Sequence, residues 1–176
     1  MANTSTELQS VFFFFFSYNA LQTHVNELEI EVVSLNELLD DLKIKYVDQV
    51  FFKDLNLRSV KGLSDDDDTV FTDKNIVSQI FSSLLSNAIK FTNKGYIEMG
   101  YHVVQNELQF YVKDTGVGIA NLENVEDENH LTIGLSTVKK LVELLHGSLQ
   151  IESKFGLGTT IFFQIPYEPA LEKITS

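Results

Sequence analysis

Cysteine and tryptophan are absent from the 176 residues, proline occurs twice, and basic side chains are few, 13 against 25 acidic ones. Without cysteine there is no disulfide and no thiolate metal site, as expected for a reducing compartment. The scarcity of proline, with 44% hydrophobic and 22% charged residues, excludes disordered and collagen-like chains. A formal charge of -12 repels a phosphate backbone or an anionic lipid surface, so neither nucleic acid nor membrane contact by this chain is expected. The longest apolar run, Val11 to Phe16, is six residues; a membrane helix needs about twenty. No positively charged region precedes that run and no small-residue cleavage signal follows it, so it does not read as a signal peptide. A cytoplasmic location is expected, including the cytoplasmic part of a membrane-bound protein. Neither a Walker loop nor a Rossmann fingerprint occurs. The length fits one domain able to bury roughly two-thirds of its unfolded surface.

What is present is an ordered series of elements. Leu8 to Leu21 is apolar and aromatic, with phenylalanine at 12 to 16, and is expected to be a helix that packs against a second chain. Glu27 to Val33 alternates as a strand. Ser34 with Glu37 has capping-box spacing, and Leu35, Leu38, Leu39, Leu42 and Tyr46 mark a helix running to about Phe52. Leu55 to Val60 alternates again, and the acidic run Asp65 to Asp68 reads as a solvated turn. Asp73 is a candidate cap for a helix with apolar positions Ile76, Ile80, Leu84, Ala88 and Phe91. Tyr96 to Val104 with Leu108 to Val112 predicts a hairpin. Residues 120 to 132 predict a loop, Gly134 to His146 a helix, and Ser148 to Ser153 with Thr159 to Ile165 a second hairpin. This order implies an α+β two-layer sandwich, not a doubly wound parallel sheet.

Three segments carry candidate chemistry. Asn87 and Lys90 lie three apart on one helix; an amide oxygen can ligate Mg²⁺ and an ammonium can meet phosphate, although such residues near a helix end are also ordinary surface. Asp114-Thr115-Gly116-Val117-Gly118 ends a strand, where a carboxylate can accept from an exocyclic amine and glycines admit a planar ring; the same pattern also makes a plain tight turn. Gly134-Leu135-Ser136 is expected to enter a helix whose free N–H groups favour phosphate, and Gly156 to Thr160 brings a hydroxyl to a turn. His24, His102, His130 and His146 are too scattered for a metal cluster.

Asn-Ala-Ile-Lys-Phe-Thr at 87 to 92, Asp-Thr-Gly-Val-Gly-Ile at 114 to 119, the Gly134 to Gly147 segment and Gly-Leu-Gly-Thr-Thr at 156 to 160 resemble the N, G1, G2 and final glycine boxes of sensor histidine kinases. The resemblance covers about residues 27 to 166. It implies the Bergerat ATP-binding fold shared with gyrase, Hsp90 and MutL, a mixed sheet backed by three helices. It also implies a domain over 27–168, an N-terminal helix over 1–26 that resembles the end of a dimerisation helix, and a tail over 169–176. By the same resemblance Asn87 would hold Mg²⁺ on the triphosphate, Lys90 would contact phosphate, Asp114 would recognise the adenine amine, Gly116 and Gly118 would line the base, Gly134 would sit beside the phosphates, and Thr159 would support the adenine end. ATP and Mg²⁺ are the implied cofactors. A histidine-bearing dimerisation domain and a response regulator are the implied partners, with a homodimer through the N-terminal helix.

The sequence also departs from the family pattern. Ser83 stands at the first polar position of the N box, where the kinases usually have Asn and the related ATPases a general-base Glu, so no residue is certain as catalytic. His130 and Thr132 replace two glycines of the G2 box, and Glu126, Asp127 and Glu128 make the intervening loop acidic. No histidine has the acceptor context of the family, so the phospho-acceptor would lie elsewhere and the chain would not autophosphorylate alone. Two readings follow from different classes: the ATP-binding domain of a sensor kinase, or a degenerate domain that works as a protein-binding module with weak or no ATP binding. A related anti-sigma type serine kinase would leave residues 8 to 31 unexplained.

Overall fold

The computed structural model describes residues 28–119 and 131–170. The expected N-terminal helix, the acidic loop with Glu126 to Glu128, His130 and the end of the tail lie outside the described residues. In chain order come β1 (Glu31–Ser34), α1 (Leu35–Phe52), β2 (Leu55–Val60), β3 (Thr69–Thr72), α2 (Lys74–Phe91), β4 (Gly95–Val104), β5 (Glu107–Asp114), α3 (Leu131–Leu144), β6 (Ser148–Lys154) and β7 (Gly158–Pro166).

Five strands form one sheet in the order β2-β4-β5-β7-β6, with β2 and β4 parallel and every other pair antiparallel. The sheet is therefore mixed and, with three helices, gives the expected α+β sandwich. Strand alternation puts Ile97, Met99 and Tyr101 of β4, Leu108, Phe110 and Val112 of β5, and Ile161, Phe163 and Ile165 of β7 in the core with the buried helix residues. Phe81 of α2 meets Phe110 and Phe163 edge-on at 5.7 and 5.4 Å, and those two rings stack at 4.8 Å. Burying each such side chain stabilises the fold by about 1.5–3 kcal/mol, so this trio fixes α2 over β5 and β7.

The helix starts follow from their caps. Ser34 accepts from the Glu37 N–H at 3.1 Å, and Asp73 Oδ1 accepts from the Ile76 N–H at 3.0 Å. The acidic run departs from expectation at its last member. Asp65, Asp66 and Asp67 are exposed, but Asp68 is buried and accepts from the Asn36 N–H (2.8 Å) and Ser34 Oγ (2.6 Å). Its charge sits at the positive end of α1, which offsets its desolvation. Asn36 links this cap to the sheet, donating to Asp65 Oδ1 and accepting from the Tyr101 hydroxyl at 2.7 Å. Burial pushes the Tyr101 phenol up to about 12.

Most strand ends shift by one or two residues, and three features depart further from the sequence reading. β3 was not expected: its four residues bury Val70 and expose Phe71, too short a pattern to score, and pairing with β1 creates a separate two-stranded sheet. β1 begins at Glu31, because Glu29 instead donates its N–H to Asp73 Oδ2. α3 begins at Leu131, so Gly134 lies inside the helix and not at its entrance. After β7 the chain runs beside β3, where the Ala170 N–H donates to the Thr69 carbonyl at 2.9 Å.

Candidate functional site

The end of the sheet where β5 stops collects one group of the anticipated residues. Asp114 continues the core-facing series of Leu108, Phe110 and Val112, and its register partner is Thr159 on β7. Thr159 in turn is opposite Ser153 on β6, and the two hydroxyl oxygens are 2.8 Å apart. The apolar floor of the sheet thus ends in a row made of one carboxylate and two hydroxyls. Ser153 was not anticipated, although it continues the alternation Leu149, Ile151, Ser153 on the same face. Its Oγ accepts from the Ile119 N–H at 2.8 Å, tying the segment after Gly118 to β6.

Asp114 Oδ1 accepts from the Gly116 N–H at 2.8 Å. Burial pushes its carboxyl above the usual carboxylate range, and the backbone N–H groups of Gly116 and Thr159 pull it partly back. Among the described residues it has no ion-pair partner. A half-buried carboxylate supported by backbone dipoles and not by a cation is an acceptor suited to a neutral donor such as an aromatic amine.

The two glycines of the turn have reasons within the protein. A Cβ on Gly116 would fall on the Phe91 carbonyl at the end of α2, which accepts from the Val117 N–H at 3.3 Å. A Cβ on Gly118, whose φ is 67°, would fall on the Lys154 carbonyl. The turn is therefore clamped between the end of α2 and the β6–β7 turn, and the Gly156 N–H donates to the Val117 carbonyl at 2.8 Å. Thr115, also unanticipated, accepts from the Tyr96 N–H at 3.0 Å and fixes the turn to the start of β4.

A second group forms between α2 and α3. Gly134 faces Asn87 and Ser83, and a Cβ there would be 3.2 Å from the Asn87 amide nitrogen and 3.8 Å from Ser83 Oγ. The expected contact of Gly134 through a free helix-entrance N–H is thus corrected: its missing side chain makes room for the Asn87 amide. Asn87 is half-buried and Lys90 exposed, with Lys90 Nζ over the Phe91 ring at 5.3 Å. A shallow depression of about 280 Å³ at this end of the sheet is lined by the outward row Lys113, Thr160 and Glu152 as well as by Asp114, Thr159 and Ser153. It does not extend to Asn87 or Lys90; the link between the two groups is the end of α2, where the Phe91 carbonyl meets the Val117 N–H.

The donor set bears on which metal can be held. Among the described residues no three carboxylates or histidines gather as a cage. A lone amide with a hydroxyl nearby fits an ion such as Mg²⁺ that keeps most of its waters and is held largely by substrate phosphates. Among the described residues, no helix is long and apolar enough to cross a membrane.

The family model of the histidine kinase-, DNA gyrase B-, and HSP90-like ATPases matches residues 72–169. The autoinducer 2 sensor kinase/phosphatase LuxQ of Vibrio vulnificus (strain YJ016) is 33% identical over 117 residues, which cover 55% of this chain and 14% of LuxQ. The chain thus spans about one-seventh of that relative. Among solved structures, full-length ShkA in complex with AMPPNP superposes with a TM-score of 0.80 at 20% identity, covering 94% of this chain and 37% of that one. The histidine kinase ThkA in complex with the response regulator protein TrrA gives 0.73 at 21% identity, covering 92% and 48%. Both likenesses establish the fold, that of histidine kinase catalytic domains. With its glycine-bounded turn, its strand-end carboxylate and a family match over more than half its length, the chain belongs to the histidine kinase-, DNA gyrase B-, and HSP90-like ATPases.

Proposed function

We propose that this chain carries the ATP-binding, catalytic domain of a two-component sensor histidine kinase and supplies the γ-phosphoryl group of ATP to a histidine located elsewhere. The observation that carries the reading is Asp114: a half-buried carboxylate without a cation partner, held by backbone N–H groups at the end of an apolar strand row. In this role Asp114 accepts from the exocyclic amine of adenine, and Thr159 with Ser153 supports that end of the site. Gly116 and Gly118 keep the turn low enough for a planar base to lie on it. Asn87 offers its amide oxygen to Mg²⁺ on the triphosphate, with Gly134 leaving it room, and Lys90 reaches phosphate from the last turn of α2. Bound ATP with Mg²⁺ supplies the transferable phosphoryl group; the protein's part is orientation and charge neutralisation. Ser83 offers no carboxylate to activate water, which favours transfer over hydrolysis.

We place the domain from residue 27 to Ala170, two residues beyond the expected end at 168, because Ala170 is bonded to Thr69. Residues 1–26 are assigned to a dimerisation element that joins two copies. Exposed Ile30, Val32 and Phe71 beside the point where that segment enters support an apolar attachment there. A response regulator is the proposed downstream partner, and the proposed location is the cytoplasm. The relatives are named as kinases, which favours nucleotide handling over the binding-module reading.

The test is phosphotransfer in trans. The chain is incubated with γ-labelled ATP, Mg²⁺ and a separately supplied dimerisation domain carrying an acceptor histidine. Acid-labile label on that domain is expected; no label across several acceptor domains, together with weak or no nucleotide binding, would support the binding-module reading.

A further inference from the structure

We propose that Lys53, the residue that ends α1, is a positioning residue for nucleotide recognition. Its ammonium fixes the last turn of α2, against which the Asp114–Gly118 turn is docked. The inference rests on the nucleotide reading of that turn and adds to it a residue remote from the base.

The last carbonyls of a helix have no partner within it. Lys53 Nζ donates to the Ile89 carbonyl at 2.6 Å and to the Thr92 carbonyl at 3.1 Å, with the Lys90 carbonyl at 3.4 Å. An ammonium has three protons, and here three acceptors from one helix end surround it. The positive charge also lies at the negative end of the α2 dipole. Lys53 is itself anchored, since its N–H caps α1 by donating to the Val50 carbonyl at 3.2 Å. Among the described residues it forms no salt bridge, so the cation acts on backbone alone.

On the other side of the same helix end sits the turn. The Phe91 carbonyl accepts from the Val117 N–H and occupies the space that a side chain on Gly116 would need. Lys90 belongs to the same helix end, its carbonyl 3.4 Å from Lys53 Nζ and its side chain assigned to phosphate. A rotation of the 89–92 peptides would therefore move both the turn that carries Asp114 and the residue proposed to meet phosphate.

The experiment uses the full chain with Lys53→Met, which keeps the apolar stem, and Lys53→Arg, which keeps a multiply donating cation. Amide hydrogen exchange is followed at Val117 and at the core strand residues Tyr101 and Phe110, and affinity for a non-hydrolysable ATP analogue with Mg²⁺ is measured beside it. Lys53→Met is expected to speed exchange at Val117 and to weaken affinity by about tenfold each, with core amides changed by less than about threefold and Arg restoring both. Unchanged Val117 exchange and affinity in Lys53→Met would overturn the proposal. So would uniform acceleration of all three amides, an unfolded variant, or failure of Arg to restore, since these describe a cap that serves stability alone. If the unsubstituted chain binds no nucleotide, the nucleotide reading falls, and Val117 exchange by itself decides whether Lys53 positions the turn.

Discussion

Replacing Gly118 by alanine separates the two demands placed on that position. The backbone there has φ 67°, where a Cβ costs about 1–2 kcal/mol. The same Cβ would also land on the Lys154 carbonyl, a backbone atom that cannot rotate away. Relief requires the turn to lift from the β6–β7 hairpin, which loses the bonds from Gly156 N–H to the Val117 carbonyl and from Ile119 N–H to Ser153 Oγ. At about 0.5–1.5 kcal/mol net for each bond, the full loss is about 2–5 kcal/mol. Gly156 provides the control: its φ is 79°, yet a Cβ there meets nothing within 4 Å, so Gly156→Ala should cost only the conformational part. Urea unfolding followed by circular dichroism at 25 °C reads both variants. Gly118→Ala is expected to be the less stable of the two by about 1–3 kcal/mol. Equal losses would refute the close approach and with it the clamp on the turn.

Other substitutions test other parts of the site. Asp114→Asn should weaken ATP-analogue affinity by about 10- to 150-fold, the worth of a hydrogen bond to a charged acceptor. Because burial raises the folded-state pKa of Asp114, its contribution to stability is present below the ordinary aspartate value of about 4 and is lost as pH rises through the folded value. The same variant should consequently be no less stable than the parent at pH 7, and thermal melts showing a clear loss would contradict this. Gly134→Ala should fold well, since alanine favours a helix interior by about 1 kcal/mol over glycine, but should lose Mg²⁺-dependent affinity as the Asn87 amide is displaced; titration with and without Mg²⁺ reads the difference. Tyr101→Phe leaves the buried Asn36 acceptor unpaired and should cost about 1–3 kcal/mol in urea unfolding; a neutral result would mean that the α1 cap is not tied to the sheet.

Much of this architecture is legible in the amino acids because the signals are local. Ser34 with Glu37, Asp73 with Ile76, and the alternation over Leu55–Val60 each act within a few residues, and each element forms where its pattern lies. Asp114 and Thr159 were also identifiable, one at a strand end and one after a glycine turn, and antiparallel pairing makes them neighbours. What escaped the sequence depends on contacts between distant segments. Asp68 is indistinguishable from its three acidic neighbours until α1 presents its N-terminus to it. Gly134 resembles a helix entrance, and only packing against α2 shows how tightly a side chain there would press on the Asn87 amide. Lys53 is one more surface lysine until α1 ends beside the last turn of α2. The sequence pattern assigns Gly116 and Gly118 to ligand approach, whereas the structure presses both against protein carbonyls; the two explanations are compatible, and the second follows from contacts within the chain.

The most direct test of the account is a calorimetric titration of the full chain with a non-hydrolysable ATP analogue, run with and without Mg²⁺ and beside Asp114→Asn. The account predicts saturable binding that is strengthened by Mg²⁺ and lost or greatly weakened in the variant. Absence of heat up to millimolar nucleotide, or equal binding by the variant, would contradict the assignment of Asp114 and its strand-end row as a nucleotide site.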